Sequence, residues 1–171
     1  GLDNITLTGA NSFPFQLTIQ GGTLNAASMG LMGVPSAIGE GNLIKFGSAN
    51  TPAALNYING GAATVDRQGQ SGAGTSTGTG GATIRNNANG ALVFNNPAFN
   101  LVSVSLTGSR SLTLGGFNLD TNEIQGVIAD NAGPGIISVI KSDLGDWILS
   151  GANTYSGGTT ISTGTLQVGN F

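Results

Sequence analysis

The 171-residue sequence has no cysteine and no histidine, and its charged side chains are few, five basic and eight acidic. Without cysteine no disulfide or thiolate metal site can form, and without histidine the imidazole zinc sites are excluded as well. A net charge of −3 with no cluster of Lys or Arg leaves nothing to hold phosphates, so nucleic acid and anionic membrane surfaces are not expected partners. No apolar run approaches the roughly 20 residues needed to span a bilayer. The segment is therefore expected to stay in water and not to insert into a membrane. It opens on Gly1 with no initiator Met and no basic-then-apolar leader, as a processed protein or an excised piece would.

What is present is glycine, 30 residues of it, together with recurring Thr, Ser, Asn, Ile, Leu and Val. Disordered chains lack the aliphatic and β-branched residues that build a core. This composition is instead that of a β fold kept soluble by hydroxyls and amides. No segment places apolar residues at helical spacing over three turns, so little or no α-helix is expected.

Internal repetition is evident. "ILSGANTYSGGTTISTGTL" at 148–166 and "TLTGANSFPFQLTIQGGTL" at 6–24 coincide at nine of nineteen positions, with an offset of 142. Between them lie short β-type runs bounded by Gly, Asn, Ser or Pro: 43–46, 54–58, 82–84, 92–94, 101–106, 111–114, 123–128 and 136–141. Two stretches leave this rhythm. Residues 29–41 form one excursion, whose Met29, Leu31, Met32, Val34 and Ile38 are placed to cap a core. The low-complexity run "GQSGAGTSTGTGG" at 69–81 reads as a surface loop.

Among β architectures, a sandwich or barrel would be punctuated by tight Asn-Gly hairpins, and only two occur, at Asn59-Gly60 and Asn89-Gly90. A solenoid stacks like residues over like at about 4.8 Å, which favours Thr, Asn and aliphatics and disfavours charge. The whole chain, 1–171, is read as a single all-β solenoid segment of roughly 6 to 8 coils, at the 20 to 30 residues per coil typical of such repeats. Alternation in "TTIS" and "TLQV" puts Ile161, Leu166 and Val168 on one face. Neither end carries an evident cap, so the open strand edges are expected to meet adjacent repeats or another copy, end to end.

The stretch 149–169 resembles the passenger-associated transport repeat, also called the autotransporter-associated β-strand repeat, of secreted bacterial proteins. Leu149, Gly151, Asn153, Tyr155, Gly157, Gly158, Thr159, Ile161, Gly164, Thr165 and Leu166 carry the resemblance. In the first copy Pro14, Phe15 and Gln16 replace the Ser-Gly-Gly of the motif, so its turn is expected to differ. The resemblance implies a right-handed parallel β-helix outside a bacterial cell or on its surface, with the repeat serving structure and secretion and not catalysis. The membrane barrel of an autotransporter would need a dozen or so long amphipathic strands, which this segment lacks. The terminal Phe171 reads as the edge of a repeat and not as a barrel signature.

Chemistry has few candidates. Two carboxylates flanking a sugar would be needed for glycoside hydrolysis, and the pairs close in sequence are Asp120 with Glu123 and Asp143 with Asp146, the latter beside Trp147. The alternative is turn closure by Asp side chains, with Trp147 packed at a coil edge or under a loop. "GGAATVD" at 60–66 and "GGFNLD" at 115–120 fall short of the calcium-binding β-roll pattern, and "GTGGAT" lacks the Lys-Ser/Thr of a phosphate loop. Asn4-Ile5-Thr6 is a glycosylation sequon but reads as a strand start. Arg67, Arg85 and Arg110 would line one outer face if their coils are in register, a weak site for an acidic glycan, but they read better as a scattered solvated surface. The sequence thus predicts no catalytic, metal or cofactor-binding residue, and no cofactor. It predicts a structural solenoid segment of a secreted or surface-displayed bacterial protein, a rigid spacer or fibre unit. The alternative is an adhesin-type module holding a glycan or host protein, and more remotely a polysaccharide-active enzyme.

Overall fold

The computed structural model describes residues 3–48, 50–71, 78–101, 107–130 and 133–169. Among them are sixteen strands and no helix: β1 (Asn4–Leu7), β2 (Leu17–Ile19), β3 (Gly22–Ala26), β4 (Leu43–Phe46), β5 (Ala53–Ile58), β6 (Ala63–Val65), β7 (Gln68–Ser71), β8 (Ala82–Asn87), β9 (Leu92–Phe94), β10 (Phe99–Leu101), β11 (Arg110–Gly116), β12 (Asn122–Ile124), β13 (Ile137–Lys141), β14 (Asp146–Leu149), β15 (Thr159–Ile161) and β16 (Thr165–Val168). They form three sheets, a long one in the order β1-β3-β5-β8-β11-β13-β15, a four-stranded one, β10-β7-β4-β2, and a five-stranded one, β16-β14-β12-β9-β6. Neighbours within each sheet are parallel. Parallel neighbours that lie two or three strands apart in sequence define a β-solenoid.

Along the long sheet one line of register partners runs Ile5, Leu24, Leu55, Ile84, Leu114, Lys141 and Ile161, with short coils at both ends and longer ones between. The turns are less uniform than the sequence indicated. Sixteen strands over seven levels leave several turns two-sided: the four-stranded sheet serves only the early levels and the five-stranded sheet only the later ones. The expectation of 6 to 8 regular coils is corrected in their regularity: of the seven levels of the long sheet, about four carry a strand of the four-stranded sheet. The missing strands are replaced by irregular segments, 8–16 and 27–42 early, and 125–130, 133–136 and 150–158 late.

Strand alternation sends every second residue inward, and the register turns these positions into rows. Ile5, Leu24, Leu55, Ile84 and Leu114 stack in one row of the long sheet, and Val65, Phe94, Ile124, Leu149 and Val168 in one row of the five-stranded sheet. Their middle members are fully buried. Phe94 stacks on Phe99 at a centroid distance of 4.2 Å. Outside, Thr23, Ala54, Thr83, Thr113, Ile140 and Thr160 follow one line. Amides bond along the stack from Asn87 to Asn56 (2.8 Å) and from Asn56 to Asn25 (2.9 Å).

Several readings are corrected by this arrangement. The run at 69–81 is not a surface loop throughout: Gly69, Gln70 and Ser71 belong to β7, and Gly78, Gly80 and Gly81 are buried. A segment with neighbouring coils on either side is held as strand or corner whatever its composition. The rest of that run, 72–77, and residues 102–106 of another expected strand lie outside the described residues, as does Phe171. In the 29–41 excursion Met29 and Ile38 cover the core, whereas Leu31, Met32 and Val34 are 44%, 53% and 48% exposed.

The arginines do not line one outer face. Arg85 points outward and pairs with Asp143 at 3.4 Å, but Arg67 and Arg110 are buried, as is Lys141. Arg110 shares the inward parity of Leu112 and Leu114. Arg67 occupies the corner between β6 and β7, where its guanidinium donates to the carbonyls of Ile38 (3.1 Å), Gly39 (2.6 Å) and Gly41 (2.7 Å), and at longer range to those of Gly30 and Leu31. A rigid fork of donors suits such a cluster of turn carbonyls. Burial lowers the Arg67 pKa, and the charges of Asp66 and Glu40 oppose that shift. Replacing Arg67 with Leu would take a donor from each of these carbonyls, while that of Gly39 keeps the Ser36 hydroxyl and that of Leu31 the Val34 amide; the cost is about 1–3 kcal/mol for each one left unpaired and kept from water. Arg67→Leu is therefore expected to raise amide exchange across 30–41 by at least tenfold, with β8, β11 and β13 unchanged, as read by exchange mass spectrometry.

Candidate functional site

The residues singled out by the sequence are brought together in one coil. Leu149 closes β14, the segment 150–158 bends across the face that lacks a strand, Thr159 and Ile161 bound β15, and Thr165 and Leu166 open β16. β16 returns onto β14 with Trp147 against Leu166 and Leu149 against Val168. The motif is thus a one-coil unit, a strand followed after a single turn by the strand that stacks on it.

Several motif residues make specific contacts in that turn. The Asn153 side chain accepts a hydrogen bond from the Ile128 amide at 2.8 Å and reaches back to the Leu149 carbonyl at 3.4 Å, so one amide joins the bend to the coil beneath and to its own strand. The hydroxyls of Tyr155 and Thr159 are 2.7 Å apart, and the Tyr155 ring packs on the edge of the core. Gly151 lies over the Gly126 carbonyl, and Gly158 turns the chain with φ of 80°. Gly157 donates to the Ile137 carbonyl at 2.9 Å, and a Cβ there would lie 2.5 Å from that oxygen. Gly164 combines both demands: its φ is 72°, and a Cβ would lie 2.5 Å from the Asp143 carbonyl and 2.6 Å from the Lys141 ammonium. That ammonium is buried and donates to the carbonyls of Ser142, Asp143 and Thr163. Burial lowers its pKa, against the pull of Asp143 and Asp146. Ile161 follows the inward row above Lys141, yet is 55% exposed because β15 has a neighbour on one side only.

Below the bend, the Asp130 carboxylate accepts the amides of Ile137 (2.7 Å) and Ser156 (3.1 Å). Slight burial opposes ionisation, but the contacts with Ser156 and with the Ile137 amide outweigh it and hold the Asp130 pKa below its usual value. Sequence reading did not single out Asp130 or Lys141. Only their partners, carbonyls and amides of other coils, give them meaning.

The first motif copy repeats this geometry. β1 pairs with β3 as β14 pairs with β16, residue for residue at the same offset of 142: Asn4↔Thr23, Ile5↔Leu24, Thr6↔Asn25 and Leu7↔Ala26 against Asp146↔Thr165, Trp147↔Leu166, Ile148↔Gln167 and Leu149↔Val168. β2 and β15 coincide under the same shift, and Gly22, with φ of 74°, matches Gly164. The Pro14-Phe15-Gln16 turn differs as expected. It packs against the excursion that follows it, with Asn11 and Ser36 bridging antiparallel and the Phe13 ring seated where a Cβ on Gly39 would fall.

Of the two carboxylate pairs, the side chains of Asp143, Glu123 and Asp120 are engaged in turns and edges, and Asp146 takes part through its backbone. Asp143, at φ of 57°, accepts the Gly116 amide at 2.9 Å and pairs with Arg85. Glu123 takes hydrogen bonds from Gln125 and Ser150, and Asp120 one from Asn118. Trp147 is buried in the core and donates its indole N–H to the Gly115 carbonyl; it presents no surface to a sugar. Of the calcium near misses, Asp66 accepts the Met32 amide. Among the described residues no group of three or more Asp, Glu, His or Cys is placed to hold a metal ion. No helix among them is long and apolar enough to cross a membrane.

Residues 139–168 match the Passenger-associated-transport-repeat family, the span that holds the motif coil. Over that span the chain is similar to such a repeat, and the span is set in a parallel solenoid. The "Adhesin BmaC autotransporter" of Brucella suis biovar 1 (strain 1330) is 37% identical over 87 residues, 51% of this chain. The matched stretch is only 2% of that protein's length. No solved structure matches the chain.

The Asp130 contacts set a pH dependence. A carboxylate whose pKa is lower in the folded state stabilises it above the unfolded value of about 3.9, and that contribution is lost as pH falls through the lower folded value. Asp130→Asn is therefore expected to be less stable than the native chain at pH 7, with the difference closing below about pH 4, as measured by urea unfolding across pH.

Proposed function

We propose that the chain is a structural segment of a surface-displayed bacterial passenger, acting as a rigid spacer within a longer solenoid or as a unit that adds end to end into a fibre. The observation that carries this reading is a parallel ladder seven strands deep, in which β1 and β15 are the edge strands among the described residues. A strand edge is a template for further pairing. At one end Ile5 is 61% exposed and Leu7 and Leu17 are partly covered; at the other Ile161 and Val168 are 55% and 51% exposed. These residues continue the inward rows of the stack, so another coil over them would bury apolar surface worth about 25 cal/mol per Å². The passenger-type repeat at 139–168 supports placement outside the cell or on its surface. The mechanism is mechanical: bending the stack at any level requires stretching backbone hydrogen bonds in at least two sheets together.

Sedimentation over a range of concentrations, with electron microscopy of the same samples, tests assembly. End-to-end oligomers that disappear in the Ile161→Lys, Val168→Lys double variant, with its circular dichroism unchanged, are the expected result. A monomer at every concentration would leave only the spacer form of the proposal. A globular complex would contradict both forms.

A second reading is binding through the 29–41 excursion. It draws on the exposed Leu31, Met32 and Val34 and the 78% exposed Phe15, and on the similar Brucella suis protein being an adhesin. Glycan-array or host-protein binding that is lost when Leu31, Met32 and Val34 are changed to Ser would establish it; an array without signal would remove it.

A further inference from the structure

The two motif copies make the same turn on different sheets. In the first, β1 lies in the long sheet, β2 in the four-stranded sheet and β3 in the long sheet; in the second, β14 lies in the five-stranded sheet, β15 in the long sheet and β16 in the five-stranded sheet. Between β1 and β13 the chain returns to the long sheet five times, and β14 is one sheet further on. The step from Asn4 to its counterpart Asp146 therefore corresponds to five turns and one sheet. The shift applies to the pairs Asn4↔Thr23 through Leu7↔Ala26 without a break in register.

We propose that the stretch from Asn4 to Gly145 is one period of the solenoid, that the edge formed by β15 and β16 is built to receive a second copy of the chain entered at Ala27, and that each period moves every structural role by one sheet. The proposal rests on the reading of the chain as a stackable solenoid and names what is stacked. In the first copy, the free edges of the motif coil are covered by known strands: β2 by β4, with Leu17 on Ile44 and Ile19 on Phe46, and β3 by β5, with Leu24 on Leu55 and Ala26 on Tyr57. By the same shift, β15 receives a β4 strand, which puts Thr159 on Ile44 and Ile161 on Phe46 of the added copy. β16 receives a β5 strand, which puts Leu166 on Leu55 and Val168 on Tyr57.

The arrangement is consistent around the stack. The four-stranded sheet ends at β10, and its face is occupied afterwards by 125–130, 133–136 and 150–158. Under the shift the added copy's 29–41 excursion falls on that face, above 150–158, as the first excursion lies on 8–16. At the opposite end, the hollow of about 700 Å³ lined by Ile5, Leu7, Leu17, Ile19 and Leu24 marks the side of the motif coil that, in the second copy, lies on β12 and β13. A simple head-to-tail stack of unshifted chains would match only the long sheet, since β16 would meet the bend at 8–16 and β2 the bend at 150–158. The 29–41 excursion and its exposed apolar side chains then recur on each of the three faces in turn.

The test is a chain extended after Val168 by residues 27–169 of a second copy, compared with the single chain and with a direct tandem of two full chains. Amide exchange is read by mass spectrometry at concentrations where each is monomeric, so the outcome does not depend on assembly between separate chains. In the extended chain, exchange at both 159–161 and 165–168 is expected to slow about a hundredfold, as edge amides become interior ones. In the direct tandem, 165–168 stays as fast as in the single chain. Fast exchange at both strands of a natively folded extended chain, or equal protection of 165–168 in the tandem, would overturn the proposal. A shorter extension, residues 27–58 alone, supplies the same two strands and decides the matter by the same readout if the longer chain does not fold.

Discussion

The structure depends on one constraint, that each coil must offer the next a row of backbone groups and a row of inward side chains in the same places. Parallel pairing places like positions about 4.8 Å apart along the stack, so a side chain is judged by what lies above and below it. Ile84 sits between Leu55 and Leu114, and Asn56 bonds to Asn25 and Asn87. A charged residue repeated at such a position would meet itself. The low charge of the chain is a consequence of this geometry and not a sign of weak folding.

The interior cations show how the constraint is met where the rows are interrupted. A solenoid corner collects carbonyls from several turns that no strand partner reaches, and a long cationic side chain can satisfy several at once. Arg67 does so beneath the 29–41 excursion and Lys141 beneath the turn at Gly164. Asp130 is the anionic counterpart, gathering amides from two segments. These contacts make the irregular turns as much a part of the stack as the strands.

Much of the strand content was legible because aliphatic alternation is strong in β4, β5, β8, β9, β11 and β13, and because repetition at a fixed offset points to stacking. The motif residues were legible by type, and the coil gives a physical reason for several of them, above all Gly157 and Gly164, where neighbouring backbone leaves no room for a side chain. What escaped sequence reading depends on other coils. β7 reads "QGQS" and is a strand because β4 and β10 flank it. Arg110 heads the alternation "RSLTL", which marks it as inward, but its charge argued for the surface. The length of the coils was also obscured, since the short two-sided turn from Ile5 to Leu24 and the longer turn from Leu24 to Leu55, which carries the excursion, sit on the same ladder.

The whole arrangement requires the long sheet to be one continuous parallel ladder from β3 to β15. Because the protein has no cysteine, a single pair of spin labels can be placed cleanly at Thr23 and Thr160, outward positions on the same line separated by five strand spacings. Pulsed electron paramagnetic resonance should give a narrow distribution near about 24 Å, from about 4.8 Å per strand, broadened only by the label arms. Moving the first label from Thr23 to Thr83 should shorten the distance by two spacings, about 10 Å. A distance that does not step with strand number would contradict the ladder on which the rest of the account stands.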